Sequence, residues 1–222
     1  MERLKTNGKS KQHGWLKMMP ALLGLRVIIL LFLGAAPYLL LAQHFDKNEV
    51  TIQLDSMAIK DQALRERLVY MDQHWHDSMQ TAYDSLWARQ NAQDQCNMLA
   101  IEALNKRYGW QQLMELYDQA KSTIFLVIQH SDSLHQVKFL PLIYQSVKMR
   151  ALPPNDYALL KDRVTLLQSK RQYYGTQCYF DQQQNKFVPF AIIGGKVAAD
   201  KRMAALGMDS LAVYLEFVNR PD

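Results

Sequence analysis

The chain has 222 residues, of which 49% are hydrophobic, and this suits one globular domain of ordinary core size with an additional N-terminal segment. It carries 26 basic and 21 acidic residues, but residues 1–42 hold six of the basic residues and only one of the acidic ones, leaving 20 of each. The rest of the chain is therefore neutral, and we exclude nucleic acid as a partner because the basic excess belongs to the N-terminal segment.

The N-terminal segment has the pattern of an export signal. Residues 1–26 are basic, and an apolar run follows from residue 27 to residue 42. The run is shorter than the roughly 20 residues of a membrane-spanning helix and contains Pro37, which favours a cleaved signal over an uncleaved inner-membrane anchor formed by residues 18–42. We expect the protein in the periplasm or cell envelope, with membrane contact only through this segment.

A single, mainly α domain is predicted over residues 57–218. Polar residues 43–56 indicate a linker before it. Apolar residues then recur at steps of three and four, which predicts one long amphipathic helix over about residues 57–92. The residues of this apolar stripe are Leu64, Leu68, Met71, Trp75, Met79, Ala82 and Leu86.

Shorter helices follow along the chain. One ends at Gly109, which suits the position after a helix end. Ser133 and Gln136 predict a capping box for another, and Pro141 is expected to kink or restart it. The helices that follow Gly109 are predicted over about 111–129, from Ser133 onwards, from the LPPND stretch to about residue 169, over 197–205 and over 209–218.

Residues 172–180 and 186–193 predict a small β-hairpin, because they are rich in β-forming residues and flank the polar turn DQQQN. Gly175 would weaken a strand unless another backbone or a ligand approaches it closely. Gln177 offers a donor and an acceptor on the same face. A ligand contact and a hairpin tied to the preceding helix both remain open.

Two cysteines, Cys96 and Cys178, are compatible with one disulfide or with two small buried side chains. His74 and His76 lie two residues apart, so on a helix they face different directions and do not form a metal site. We expect no metal and no cofactor.

Three polar residues are candidates for chemistry. His130 leaves an apolar helix end next to Asp132, where the pKa of an imidazole can be tuned for acid or base catalysis. Arg163 lies within the apolar face of its predicted helix and so needs an acid, several carbonyl groups or an anionic ligand. An internal ion pair with Asp132 or another acid is the alternative to a ligand.

Five motifs resemble, in order, those of a bacterial family of uncharacterised domains. They are RYGW at 107–110, IQHSD at 128–132, LPPNDYALLKDRV at 152–164, QYYGTQ at 172–177 and RMAALGMDSLAVY at 202–214. The resemblance covers about residues 95–217 and implies no reaction. It implies that certain residues belong together, namely His130, Asp132, Asp162, Arg163, Tyr174, Gly175, Thr176, Gln177 and Arg202.

The sequence departs from that family pattern at two positions. Gln111 stands where a proline often follows Gly-Trp, and Lys201 stands where a second arginine often precedes Arg202. The second departure weakens an interpretation in which two arginines clamp one anion.

Two functional hypotheses follow. In the first, an exported noncatalytic domain binds a small ligand or an envelope protein, and its polar set fixes the hairpin to the helices. In the second, an envelope enzyme, such as a hydrolase, uses His130 and Asp132 as acid and base and Arg163 as anion binder. The absence of a recognised nucleophile motif, metal triad or phosphate loop favours the first.

Overall fold

The computed structural model describes residues 44–220. Within this range the chain is mainly helical with one two-stranded antiparallel hairpin, so the predicted fold class is confirmed. No helix of residues 44–220 has both the length and the apolar content needed to span a bilayer. The predicted signal or anchor, residues 1–42, lies outside the described residues.

Eight helices and two strands make up the described chain. In chain order they are α1 Lys47–Gln73, α2 Gln80–Tyr108, α3 Trp110–Leu113, α4 Asp118–His130, α5 Ser133–Lys148, α6 Pro154–Ser169, β1 Cys178–Asp181, β2 Lys186–Pro189, α7 Gly195–Ala205 and α8 Leu211–Val218.

Helix α1 begins inside the segment predicted as a linker. The carboxylate of Asp46 caps it by accepting hydrogen bonds from two backbone N–H groups of the first turn. Val50 and Leu54 are buried. Most of residues 43–56 therefore belongs to the helical core, because the helix already has buried apolar residues there.

The predicted long helix over residues 57–92 is not continuous. Helix α1 ends at Gln73, a 3-10 turn follows at Asp77–Met79, and α2 begins at Gln80. Helix α2 then packs along α1. Trp75 lies in the turn and packs edge-to-face on Tyr83 of α2, with ring centroids 5.2 Å apart. An apolar residue is therefore needed within the turn itself, and for this reason the apolar spacing does not reveal the break.

The segment from α2 to α4 contains a break that the sequence pattern missed. Gly109 ends α2 with φ +82°, as predicted. The helix predicted over residues 111–129 is split, since α3 stops at Leu113 and α4 begins at Asp118.

Helix α5 is capped by a residue other than the predicted one. Asp132 accepts the backbone N–H of His135 at 3.0 Å, so the predicted capping box of Ser133 and Gln136 is wrong. The buried amide of Gln136 instead donates to the carbonyl groups of Gln129, at the end of α4, and Ser131, in the α4–α5 connection. The helix continues through Pro141.

The described helices enclose two apolar clusters. The larger one joins α1 to α6, and its fully buried residues include Leu54, Ile101, Ile124, Phe139 and Ile143. The smaller one joins α6 to α8 and contains Ala158, Tyr174, Ala199, Met203 and Leu211.

The hairpin is shorter than predicted. Strands β1 and β2 pair Cys178 with Pro189 and Asp181 with Lys186. Residues 172–177 form a loop rather than part of a strand, and only Gln172 forms an isolated bridge there. The predicted alternation of side chains does not apply to this loop, because its backbone turns at Gly175, which has φ +90°.

Both cysteines are free thiols. Cys96 is exposed on α2 and Cys178 is half-buried in β1. The alternative of a disulfide between them is therefore wrong.

Candidate functional site

Asp162 organises the loop of residues 172–177, which we call the YGTQ loop. Its carboxylate is fully buried on α6. It accepts backbone N–H groups from Tyr173 at 2.7 Å, Tyr174 at 2.9 Å and Thr176 at 2.8 Å. The Thr176 hydroxyl donates to it at 2.9 Å. One buried carboxylate therefore has four donors from one loop, and this explains why the loop leaves the strand conformation.

Two glutamines close the other side of the YGTQ loop. The buried amide of Gln172 donates to the carbonyl groups of Gln177 and Phe190, each at 2.9 Å, and accepts the N–H of Gln177 at 2.9 Å. The side-chain amide of Gln177 donates to the carbonyl of Leu159 on α6 at 3.3 Å. The Gln177 amide thus contacts a backbone group of the protein.

The C-terminal helices hold the same loop from outside. The Arg202 guanidinium donates to the carbonyl groups of Tyr173 at 2.9 Å and Ile193 at 2.8 Å. The Tyr214 hydroxyl donates to the carbonyl of Thr176 at 3.1 Å. Burial raises the pKa of Tyr214 to about 12, which keeps this donor protonated.

Gly175 is in contact with an apolar side chain of the protein. A Cβ atom at this position would lie 2.8 Å from Cδ1 of Leu211, at the start of α8. The group that was predicted to lie close to Gly175 is therefore the Leu211 side chain of helix α8. The structure brings together six of the predicted ligand-binding residues, and their hydrogen-bonding groups serve the interior. These are Asp162, Tyr174, Gly175, Thr176, Gln177 and Arg202.

A second polar cluster lies between α1, α2 and the end of α4. Arg65 donates to both carboxylate oxygens of Asp61, at 2.9 and 3.1 Å, and to Asp94 at 2.6 Å. The buried amide of Gln90 donates to the same two carboxylates, at 3.0 and 2.8 Å. Burial would raise the pKa of Asp61, but the bonds and charge of Arg65 outweigh it and lower that pKa.

His130 lies next to this cluster but is not hydrogen-bonded to it through Nδ1. Its Nδ1 atom is buried without a hydrogen-bond partner and lies 3.9 Å from Oδ2 of Asp61. Burial, followed by the positive charges of Arg65 and Arg163, lowers the pKa of His130 to about 4, although Asp61 opposes the shift. The ring is therefore neutral at pH 7. We assign its proton to Nδ1, which faces a carboxylate, and this leaves Nε2 as an acceptor.

His130 lines a cavity of about 490 Å³, which we call the His130 cavity. Helix α2 and the α4–α5 connection form its walls. The lining residues are Asn91, Asp94, Gln95, Met98, Leu99, His130, Ser131, Asp132 and His135.

Asp132 lines the His130 cavity, but it pairs with a different histidine. Its Oδ2 atom lies 2.8 Å from Nδ1 of His135, and Nε2 of His135 lies 3.6 Å from Glu102. The hydroxyl of Ser131 donates to the carbonyl of Ile128 at 2.7 Å. The structure places His130 and Asp132 in one cavity without a direct bond between them.

The protein supplies neither an acid nor a carbonyl partner for Arg163 within residues 44–220. Among residues 44–220, no carboxylate pairs with its guanidinium, and its Nε atom is buried without a hydrogen-bond partner. Burial and the charge of Arg65 lower its pKa. The positive charge of Arg163 acts on His130, but Arg163 does not line the His130 cavity.

The sequence profile of a family of unknown function (DUF6624) matches residues 48–220. The chain belongs to this family. The match confirms the predicted membership in an uncharacterised family and assigns no reaction. No curated protein and no solved structure matches the chain.

Four polar residues of the DUF6624 domain were missed from the sequence: Asp61, Arg65, Gln90 and Asp94. One pattern could have indicated the first of them. Asp61 falls on the face of α1 that also carries the buried residues Leu54, Met57 and Leu68, which is the same kind of inward charge that identified Arg163.

Nothing in the described part of the DUF6624 domain resembles a metal centre. No group of three or more His, Cys, Asp or Glu side chains in residues 44–220 is arranged to hold an ion. His74 contacts the carbonyl of Tyr70, and His76 contacts the hydroxyl of Ser78. Both histidines are exposed, in the turn between α1 and α2.

Proposed function

We propose that this protein is an exported envelope protein whose DUF6624 domain binds a small ligand in the His130 cavity without catalysing a reaction. One observation carries the proposal. His130, whose Nδ1 is buried without a hydrogen-bond partner, lines a cavity of about 490 Å³ together with the carboxylates of Asp94 and Asp132. A volume of this size is within the range of small-molecule sites, and a few polar groups in it can orient a ligand.

The surroundings of the His130 cavity support a preformed site. Asp94, which lines it, accepts from Arg65 and Gln90, and both of these also donate to Asp61, so the polar wall is fixed before a ligand arrives. Preorganised polar groups bind more tightly because no ordering cost is incurred on binding.

The YGTQ loop is a weaker candidate for the ligand. Its backbone N–H groups at residues 173, 174 and 176 are bonded to Asp162, and its glutamine amides contact carbonyl groups. A ligand there would have to replace bonds that the domain already makes. We therefore assign this network to the stability of the domain.

The protonation of His130 supports a noncatalytic role. A general base works best when its pKa lies near the working pH. The pKa of His130, lowered to about 4 by burial and neighbouring arginines, makes the imidazole a weak base at pH 7. A neutral imidazole can still accept a hydrogen bond from a ligand.

Export is part of the proposal and rests on residues 1–42. Their basic start and apolar run suit either a cleaved signal or an inner-membrane anchor. Cell fractionation combined with N-terminal sequencing of the purified protein tests this. We expect the protein in the envelope fraction, and a cytosolic protein that begins at Met1 would contradict export.

A second candidate, an envelope hydrolase, is favoured by one specific geometry. Asp132 holds Nδ1 of His135 at 2.8 Å inside the same cavity, as an orienting carboxylate holds a catalytic histidine. In this candidate His135, rather than His130, is the acid or base. Hydrolysis of chromogenic esters that falls about 100-fold or more in His135→Gln, while Tyr214→Phe keeps it, would support the enzyme.

The ligand-binding proposal is tested by a thermal-shift screen of the full-length protein against small amines, carboxylates, phosphates and sugars. A ligand at about 100 times its Kd stabilises the domain by about 2.7 kcal/mol, which raises Tm by roughly 5–10 °C. We expect His130→Leu to lose this shift. Tyr214→Phe, which removes a bond of the YGTQ network, should keep it, and the opposite pattern would contradict the proposal.

A further inference from the structure

The lining of the His130 cavity combines two carboxylates with the amides of Asn91 and Gln95, which both donate and accept hydrogen bonds. Two of the lining residues, Asp94 and Asp132, are carboxylates, and none of them is lysine or arginine. Local backbone and His135 bonds lower the pKa of Asp132, so it is ionised at neutral pH. The side chain of Asp132 is 59% exposed, which leaves room for a further donor beside His135.

His130 adds a neutral acceptor to these carboxylates. Its Nδ1 faces Asp61, so Nε2 keeps the lone pair, and His130 is one of the residues that line the cavity. An acceptor next to carboxylates favours a ligand group that carries several N–H donors and a positive charge.

The basic residues nearby do not reverse this preference. Arg65 lies behind the cavity wall and is already paired with Asp61 and Asp94. Lys138 is paired with Glu102. Arg163 acts on His130 through its charge but lies outside the lining. His135 lines the cavity but is engaged by Asp132 and Glu102, so an anion there would face two carboxylates without a lysine or arginine partner.

One side of the cavity is apolar. Met98 is buried, and Leu99 is 63% exposed beside it on α2. An unbranched methionine side chain adapts to the shape of an aliphatic group. The apolar side can therefore hold a short carbon chain that is attached to the charged group.

We propose that the His130 cavity takes a small primary amine in its protonated form, with the ammonium group at Asp132 and His130 and the aliphatic part against Met98 and Leu99. This inference rests on the proposed function, because it assigns a chemical class to the same site. An ammonium group matches the acceptors in number and charge, and a carboxylate or phosphate does not.

Three probes of equal chain length test the assignment: n-butylammonium, butyrate and 1-butanol. Each is titrated into the full-length protein, and binding is measured by saturation-transfer NMR. A ligand this small has an expected Kd on the order of 1–10 mM. We expect the ammonium probe to bind more tightly than the other two and to lose affinity as sodium chloride is raised.

Matched variants locate the binding. Asp132→Asn removes the charge but keeps a side chain suited to capping α5, and it should weaken n-butylammonium about three- to fivefold. Asp181→Asn is the control, because Asp181 also accepts backbone N–H groups, in the hairpin turn. Leu99→Lys places a cation beside the cavity on an exposed position and should weaken the same probe without unfolding the domain.

Each outcome tests either the chemical class of the ligand or the existence of a ligand site in the His130 cavity. Tighter binding of butyrate, or equal binding of all three probes, would overturn the amine class while the ligand site stands. Butylammonium binding that neither Asp132→Asn nor Leu99→Lys changes would place the amine elsewhere and overturn the assignment. If no probe binds at about 50 mM, well above the expected Kd, the amine class fails. The screen described for the proposed function then decides whether the cavity binds any ligand.

Discussion

Replacing Asp162 with asparagine tests whether the YGTQ loop is held by one carboxylate. The two carboxylate oxygens accept three backbone N–H groups and one hydroxyl. An asparagine offers one oxygen and one NH2 group, so the NH2 group would face donors on one side of the pocket. In either orientation of the amide one backbone N–H, that of Thr176 or that of Tyr173, is left facing the NH2 group, because Tyr174 also reaches the second oxygen and the Thr176 hydroxyl can accept from the NH2 group.

The magnitude follows from the number of donors left without an acceptor. A buried donor that loses its partner costs about 1–3 kcal/mol, and the position is fully buried. We therefore expect Asp162→Asn to lower the free energy of unfolding by about 3 kcal/mol, because one N–H loses its acceptor and the other donors lose a charged one. For a domain of this size that corresponds to a fall in Tm of roughly 10 °C.

Urea unfolding of the full-length protein, followed by far-ultraviolet circular dichroism, measures this free energy. Asp200→Asn is the matched control. Asp200 accepts a single N–H, from Leu211 at 2.8 Å, and asparagine can replace it in that role, so we expect a loss below about 1 kcal/mol. A loss of similar size in both variants would refute the assignment of the loop to Asp162.

Two further predictions concern single positions. His130 takes up a proton at a pKa of about 6.5 when unfolded but only near 4 when folded, so stability falls by about 2 kcal/mol between pH 7 and pH 5 on its account. His130→Leu should lack this part of the pH dependence in urea titrations, and an identical pH profile in both proteins would contradict the buried, neutral ring. Gly175→Ala combines positive φ with a contact to Leu211 and should cost about 3 kcal/mol. Gly207→Ala is the control: Gly207 also has positive φ but meets no atom within 4 Å, so the change should cost only the roughly 1–2 kcal/mol of backbone strain, measured by the same unfolding assay.

The sequence predicted the helices best where a local marker sets their ends. Gly109 ends α2, and the proline pair before α6 marks its start. It failed where tertiary contacts override the local pattern. Trp75 continues the apolar spacing across the turn between α1 and α2. Residues 172–177 have β-forming side chains, but the backbone of this loop donates to the carboxylate of Asp162 instead of pairing as a strand.

The candidate site shows the same limit in another form. The motif resemblance grouped nine residues, and the structure divides them between the YGTQ network and the surroundings of His130. The order of motifs along a chain cannot show this division, because residues 162 and 163 are neighbours in sequence and point to different surroundings on α6. Asp162 bonds the loop, whereas the charge of Arg163 acts on His130.

The difference between these two polar groups is how completely their hydrogen bonds are satisfied. All the acceptor capacity expected of the Asp162 carboxylate is used within the domain. Nδ1 of His130 and Nε of Arg163 are buried without partners. Such atoms cost free energy in the folded domain, and stability alone would favour replacing His130 and Arg163 with apolar residues. His130 lines the cavity, and the function proposed for it there would account for keeping a residue with this cost, whereas Arg163 lies outside the lining and acts on His130 through its charge.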